Sequence, residues 1–436
     1  MIIAMAGFSL LGLVRGLIGI TFIISICYLL SENRKAISWK LVLSGLLIQL
    51  LLGIGIIYVP AFYISCEFIG RIFIHLIVFS KEGARFVFGD LVNSDKAGFI
   101  FAFQVLPAIV FFGALTGVLY YYGIIQKIVG FFAWMFQRVL NVSGPESLAT
   151  SANIFLGQSE SPLLIKSYLE KMSKAEIFQV MVAGMSMLAG SVLALYISFL
   201  GGTDYAQQLF FAKHLIAASV MAAPGAIVVA KIMIPQTVQF ERKSKLEKVE
   251  SGSNVLSSVF SGTGDGLKLA VNVGAMLVVF VAFMAMFNYI ALKIGDLTHI
   301  NSVIASATHG KCTSLSLQFM LGYCFSPVMW LIGICPEDIY NTGRLLGEKV
   351  VLTELIGYMH LSELKSTGAF VEQKSIIMST YMLSGFANFA SIGIQLACIG
   401  SLAPGQRTLV SEIGFKAMIA GTLVSLLSAC MIGMII

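Results

Sequence analysis

Uncharged apolar runs of about twenty residues recur from one end of this chain to the other. A helix needs about 20 such residues to cross the hydrocarbon core of a bilayer, and no soluble core calls for so many of them. Between flanking charges the runs occupy Gly16–Ser31, Leu41–Cys66, Ala97–Gln126, Ile177–Thr203, His214–Ala230, Leu269–Leu292, Cys312–Pro336, Ser375–Gln406 and Ala417–Ile436. Only 11% of the 436 residues are charged, against about 25% in soluble domains, and the mean hydropathy is +0.90. A soluble enzyme is excluded, and the chain reads as a polytopic helical membrane protein. The net charge of +6 is small for this length, and no basic block is dense enough for a nucleic-acid face, so nucleic acid is not a partner.

Two segments depart from the spanning pattern. Val139–Tyr168 is apolar but interrupted by Asn153, Gln158 and Glu160, and Ile304–Ile334 is interrupted by Lys311, Ser326 and Pro327. Both are expected to form re-entrant hairpins, because backbone that leaves the helix at membrane depth survives only where it is packed in protein or lines a cavity. Leu156–Pro162 and Leu321–Pro327 share the pattern LGxxxSP, as expected of a carrier built from two repeats. Glu67–Asp95 mixes Arg71, His75, Lys81, Arg85 and Asp90 with Phe and Ile, which predicts an amphipathic helix lying along the interface. Ser31–Lys40 and Glu241–Glu250 are rich in Lys and Arg, so both loops are placed in the cytoplasm and the N-terminus outside. Met1–Leu30 lacks a basic n-region and a cleavage site, so its apolar part reads as a retained first span. The seven cysteines show no CxxC or metal-ligand spacing and read as small core residues.

Polar residues inside apolar runs carry the chemistry. Glu160 lies between Ile154-Phe155-Leu156 and Leu163-Leu164-Ile165, where a mid-membrane carboxylate costs about 2.5–3.5 kcal/mol on insertion scales. With Gln158 and Ser159 it offers donors and acceptors to a polar ligand; the plainer reading is a charge at a hairpin mouth paired with Lys166. Glu354, in Val350–Ile356, is a second such carboxylate, or else a helix-end charge near Lys349. Asn388 and Ser391 stand three apart, so on a helix they share one face. They serve either a ligand hydroxyl or helix–helix hydrogen bonding, worth about 0.6 kcal/mol on average. Ser261–Gly266 is Gly-rich but is neither a Walker A box nor preceded by a strand, and is expected to be a close-packing turn. The five histidines form no HExxH pair and no GxSxG elbow exists, which leaves a metalloprotease or hydrolase without support. An intramembrane enzyme using Glu160 and Glu354 as an acid/base pair, or a channel, are the alternatives from other classes.

Six stretches in order resemble the concentrative nucleoside transporters, bacterial members included: LPAIVFFGALTGVLYYYG (Leu106–Gly123), SANIFLGQSESPLLIKSYL (Ser151–Leu169), AGSVLALYISF (Ala189–Phe199), LAVNVGAM (Leu269–Met276), LLGEKVVLTELIGY (Leu345–Tyr358) and GFANFASIGIQLACIG (Gly385–Gly400). The resemblance implies an all-α polytopic fold with about eight transmembrane helices plus two opposed re-entrant hairpins. It further implies a homotrimer in the inner membrane that imports nucleosides without any cofactor beyond a coupling cation. Residues 1–98 would be N-terminal spans and the interfacial helix, and 99–136 a scaffold span. Residues 137–212 would carry the first hairpin and broken helix, 213–302 central spans and a cytoplasmic loop, 303–400 the second hairpin and broken helix, and 401–436 the C-terminal span. By the same resemblance Gln158, Ser159 and Glu160 serve the nucleobase, Gly157 lies in the substrate site beside them, Glu354, Asn388 and Ser391 serve the ribose, and Val192 and Phe386 are apolar walls. The cation falls to the side chain of Asn153, to the backbone carbonyls of Leu156 and Leu188, and to the position of Met187. Two departures stand out: Met187 replaces a small hydroxyl residue, and Ser159 replaces a common threonine. Sodium is the expected coupling ion and a proton its rival. A phosphate would be repelled by two glutamates, which favours nucleosides over nucleotides.

Overall fold

The computed structural model describes residues 10–98, 100–239, 254–308, 310 and 312–436, and every regular element among them is helical. The basic loop Glu241–Glu250 and Lys311 lie outside the described residues. Seven described helices are long and apolar enough to cross a membrane, including Leu10–Leu29, Trp39–Tyr58, Tyr205–Met233, Val255–Leu297 and Arg407–Ile435.

Burial sorts these helices into two kinds. Trp39–Tyr58 is apolar all round, yet Val42, Gly45, Gln49, Gly53 and Ile56 are buried while Leu43, Leu47 and Leu51 are more than half exposed. An apolar outer face of this kind suits lipid tails, which are as apolar as leucine. Tyr205–Met233 and Arg407–Ile435 are instead buried over most of their length, pack on each other, and form the centre of the molecule.

Around that pair the chain repeats one plan twice. In the first half, Gly144–Asn153 runs in, a short turn leads to Ser161–Ile165 and Lys166–Leu169, and a helix follows in two pieces, Lys174–Ser186 and Gly190–Gly201. In the second half, Ile339–Val351 and Glu354–Ser366 form the hairpin, and the divided helix is Gln373–Leu383 and Phe389–Leu402. Each half then closes on a buried helix of 29 residues, Tyr205–Met233 or Arg407–Ile435.

The second hairpin is not where the sequence put it. Ser326 and Pro327 do not interrupt Ile304–Ile334 as a hairpin would need, because Leu317–Leu331 is one helix with Pro327 inside it, packed along Ile339–Val351. The chain turns back at Leu352 and Thr353 instead. The LGxxxSP match therefore pairs a hairpin tip with a helix interior, and the structural repeat has a different register: Lys174 corresponds to Gln373 and Gly190 to Phe389. The helix expected over Glu67–Asp95 has other bounds, since it begins at Pro60 and runs to Phe88. By length and composition it is itself a candidate span.

The Gly-rich stretch is close-packed, as expected, but it is no turn. Gly262 and Gly266 lie within Val255–Leu297 against Gly113 and Gly117 of Leu106–Tyr121. A Cβ at Gly113 would stand 2.6 Å from the Gly262 carbonyl oxygen, and one at Gly262 would stand 2.4 Å from that of Gly113. Two small-xxx-small faces thus let the two backbones touch.

Candidate functional site

The first hairpin is anchored at its open end. Ser143 caps Gly144–Asn153 in a capping box: its hydroxyl accepts from Glu146 N at 3.3 Å, and the Glu146 carboxylate accepts from Ser143 N at 2.9 Å. The other Glu146 oxygen is paired with buried Lys231 of the central helix Tyr205–Met233. Removing one partner of such a buried pair strands the other charge, at a cost of about 3–5 kcal/mol. The hairpin tip then reverses through Ile154–Glu160, with Leu156 N donating to Ala152 O at 2.8 Å and Glu160 N to Gly157 O at 3.0 Å.

Both divided helices break beside a hairpin. A second capping box, Ser173 with Glu176, starts Lys174–Ser186. After Ser186 the chain is extended at Met187, and Gly190 N donates to the tip carbonyl of Phe155 at 2.9 Å. A Cβ at Gly190 would stand 2.8 Å from that oxygen, so a glycine is needed for the tip to meet the break. Ser219 of the central helix accepts the freed Leu188 N–H at 3.3 Å. The second break, Ser384–Ala387, lies against the first: a Cβ at Gly385 would stand 2.8 Å from the Met185 carbonyl oxygen and 3.0 Å from that of Ser186. Freed backbone groups at membrane depth therefore find partners within the protein, as they must.

A buried polar cluster joins these four features. Gln158, at the first tip, donates from Nε2 to Ser391 Oγ at 2.9 Å. Ser391 N donates to Asn388 Oδ1 at 2.9 Å, and Asn388 Nδ2 donates to Glu354 Oε2 at 2.8 Å. Tyr196 OH donates to the other Glu354 oxygen at 3.1 Å. Asn388 caps Phe389–Leu402, and Glu354 opens Glu354–Ser366. In a first turn a carboxylate is favoured by the helix dipole. Gln158, Glu354, Asn388 and Ser391 are all less than a tenth exposed.

The remaining named residues take less central places. Gly157 is buried and Ser159 is exposed, its carbonyl accepting from Cys398 Sγ at 3.1 Å. Glu160 is partly exposed at the hairpin tip, Val192 is buried just after the first break, and Phe386 sits partly buried within the second. Asn153, Leu156, Met187 and Leu188 are all buried at the corner where tip meets break. The Asn153 amide donates to Ala149 O at 2.9 Å, whereas its Oδ1 is buried with no hydrogen-bond partner among the described residues. An unpaired buried oxygen costs about 1–3 kcal/mol, and a hard cation is the kind of ligand that would satisfy it.

Three consecutive parts of the chain match models of one transporter family. Residues 18–91 match the "Na+ dependent nucleoside transporter N-terminus", 102–203 a "Nucleoside recognition" gate, and 214–433 the "Na+ dependent nucleoside transporter C-terminus". The chain belongs to this family of sodium-dependent nucleoside transporters. It is a family of carriers and not of enzymes. An uncharacterized transporter of Haemophilus influenzae is 38% identical over 98% of both chains. Sodium/nucleoside cotransporter 1 of Rattus norvegicus is 35% identical over 96% of this chain and 63% of its own length. Among solved structures, CNTnw in an inward-facing substrate-bound state superposes with a TM-score of 0.87, at 35% identity, over 97% of this chain and 98% of that one. A CNTnw variant in an intermediate state gives 0.88 at 34% identity.

Several residues that shape this transporter's polar cluster were given no role by the sequence reading. Gln395 donates to Gln158 Oε1 at 3.1 Å, and Tyr196 stacks on Tyr358 with ring centroids 4.2 Å apart. Lys349 donates to Met382 O at 2.8 Å and to Ser425 Oγ at 3.0 Å, fastening the second hairpin to the end of Gln373–Leu383. Nothing local in the sequence names their partners, and only the fold supplies them.

Proposed function

We propose that this transporter is a sodium-coupled symporter that imports nucleosides by alternating access. The observation that carries the reading is the buried chain Gln158–Ser391–Asn388–Glu354, which links both hairpins to the second helix break. A nucleoside has a planar base with mixed donors and acceptors and a sugar with vicinal hydroxyls. The Glu354 carboxylate has lone pairs to accept from two hydroxyls, and Asn388 and Ser391 stand beside it. Gln158, with Ser159 and Glu160 from the same tip, takes the base, and Val192 and Phe386 form its apolar walls. Because the two sets come from opposite halves, a bound nucleoside bridges the first hairpin tip to the second hairpin and the second helix break.

The cation falls to Asn153 Oδ1, whose lack of a partner supports the assignment, together with backbone carbonyls at Leu156 and Leu188. Met187 adds only a thioether, a soft ligand ill matched to sodium, and this favours proton coupling as the second reading, with Glu160 or Glu354 as carrier. The resemblance to the nucleoside transporters supports a homotrimer in the inner membrane, and the basic loop Ser31–Lys40 supports an N-terminus outside. The deciding experiment is uptake of labelled nucleoside into proteoliposomes, first at fixed pH with an inward sodium gradient, then at fixed sodium with a pH gradient. Accumulation above the outside concentration that needs the sodium gradient and collapses with an ionophore is the expected result. Accumulation that ignores sodium and follows pH overturns the sodium site, and equilibration without accumulation overturns symport.

A further inference from the structure

Gln395 lies one turn beyond Ser391 on Phe389–Leu402 and is 1% exposed. Its Nε2 donates to two oxygens, the Met181 carbonyl at 3.0 Å and Gln158 Oε1 at 3.1 Å. A backbone carbonyl can only accept, so the end of Gln395 that faces Met181 has to be its NH2 group. That NH2 group also faces Gln158, which must therefore turn its carbonyl oxygen toward Gln395. The Gln158 NH2 group is then left pointing at Ser391 and the site. The other end of the chain is pinned in the same way. Ser391 N–H can only donate, so Asn388 presents Oδ1 to it and its NH2 group to Glu354.

We propose that Gln395 is a positioning residue that fixes the orientation of the Gln158 amide, so that the site offers the nucleobase a hydrogen-bond donor and selects bases with an acceptor at that edge. The inference rests on the assignment of Gln158 to the base. Two further observations support it. Gly184 leaves the room this contact needs, since a Cβ there would stand 2.6 Å from Gln395 Nε2 and 3.0 Å from Gln158 Cβ. The Gln395 Oε1 atom is buried with no partner among the described residues. A methionine of similar volume would avoid that unpaired oxygen, so packing alone does not account for a glutamine here.

The orientation is read by replacing a carbonyl acceptor on the base with the weaker thione. Binding of uridine, 2-thiouridine and 4-thiouridine to purified protein is measured by calorimetry, or of inosine and 6-thioinosine where the wild type prefers purines. At least one thione is expected to bind wild type about three- to tenfold more weakly than its parent, the range of one hydrogen bond. In Gln395→Glu, where a carboxylate can no longer donate, the Gln158 amide is free to reverse and the penalty is expected to vanish. Gln395→Met keeps the volume without the donor, and its penalty should fall toward that of Gln158→Ala. It serves as the deciding variant if the buried charge of Gln395→Glu prevents folding. A purely structural role would weaken every nucleoside equally and leave the ratio untouched, which overturns the proposal. If Gln158→Ala removes the penalty and the Gln395 variants keep it, the orienting role alone falls. If wild type shows no penalty, or Gln158→Ala retains it, the assignment of Gln158 to the base falls as well.

Discussion

Glu354 shows how little a single side chain must change to empty this site. Both of its oxygens already accept, one from Asn388 at 2.8 Å and one from Tyr196 at 3.1 Å. In Glu354→Gln one of those donors would face an NH2 group, and the charge that strengthens bonds to sugar hydroxyls would be gone. Charge-assisted bonds contribute about 1.5–3 kcal/mol each, so uptake should fall by roughly 10–150-fold while the folded protein persists in detergent. Gel filtration and nucleoside uptake measured side by side test this, and unchanged uptake would remove Glu354 from the site. A second comparison separates base from sugar. Gln158→Ala should change the ratio of uridine to adenosine uptake more than that of uridine to 2′-deoxyuridine, and Asn388→Ala should do the reverse. Equal losses for all substrates in both variants would contradict the division.

At the scale of elements, the second hairpin depends on fasteners that are polar and buried. Glu348 is fully buried, accepting from Arg344 Nε at 2.9 Å on its own helix and bonded at 2.7 Å to His360 Nδ1 on the returning arm. Lys349, the next residue, holds the hairpin to Met382 O, where Gln373–Leu383 ends and its last carbonyls need donors. Lys349→Met keeps the length and loses both bonds, leaving Met382 O and Ser425 Oγ without this donor. The expected destabilisation is on the order of 1–3 kcal/mol, seen as a lower unfolding temperature, with transport reduced more than in a surface control such as Lys127→Met. On the first hairpin, Asn153→Leu is the matching test. It removes the unpaired Oδ1, so sodium dependence of uptake should be lost while the tip still folds. Retained sodium dependence would move the cation elsewhere.

For the molecule as a whole, the contact between Leu106–Tyr121 and Val255–Leu297 rests on glycines rather than on bulky apolar side chains. Gly113→Ile or Gly262→Leu would drive a side chain into backbone, where nothing flexible can yield. Either should lower the unfolding temperature and the yield of folded protein more than the same change at Gly264, whose Cβ would meet nothing within 4 Å. Equal behaviour at all three positions would show that the helices need not touch. The sequence alone determined that the chain is a helical membrane protein, where its apolar runs lie, and which polar residues are costly enough at membrane depth to need a reason. Those follow from composition and local order, because a bilayer accepts only long apolar helices with their backbone bonds satisfied. Its motifs also single out Gln158, Glu354, Asn388 and Ser391 without any knowledge of the fold. What it could not supply was every relation across the chain: that the second reversal comes at Leu352–Thr353, beyond Ile304–Ile334, that Gly262 lies inside a helix, that Gln395 and Tyr196 reach the cluster. Hydropathy is nearly even around the long spans such as Trp39–Tyr58, Tyr205–Met233 and Arg407–Ile435, so there no local pattern says which face turns inward or which two helices meet. That is settled only when backbone touches backbone at a glycine and a buried donor finds the one acceptor within reach.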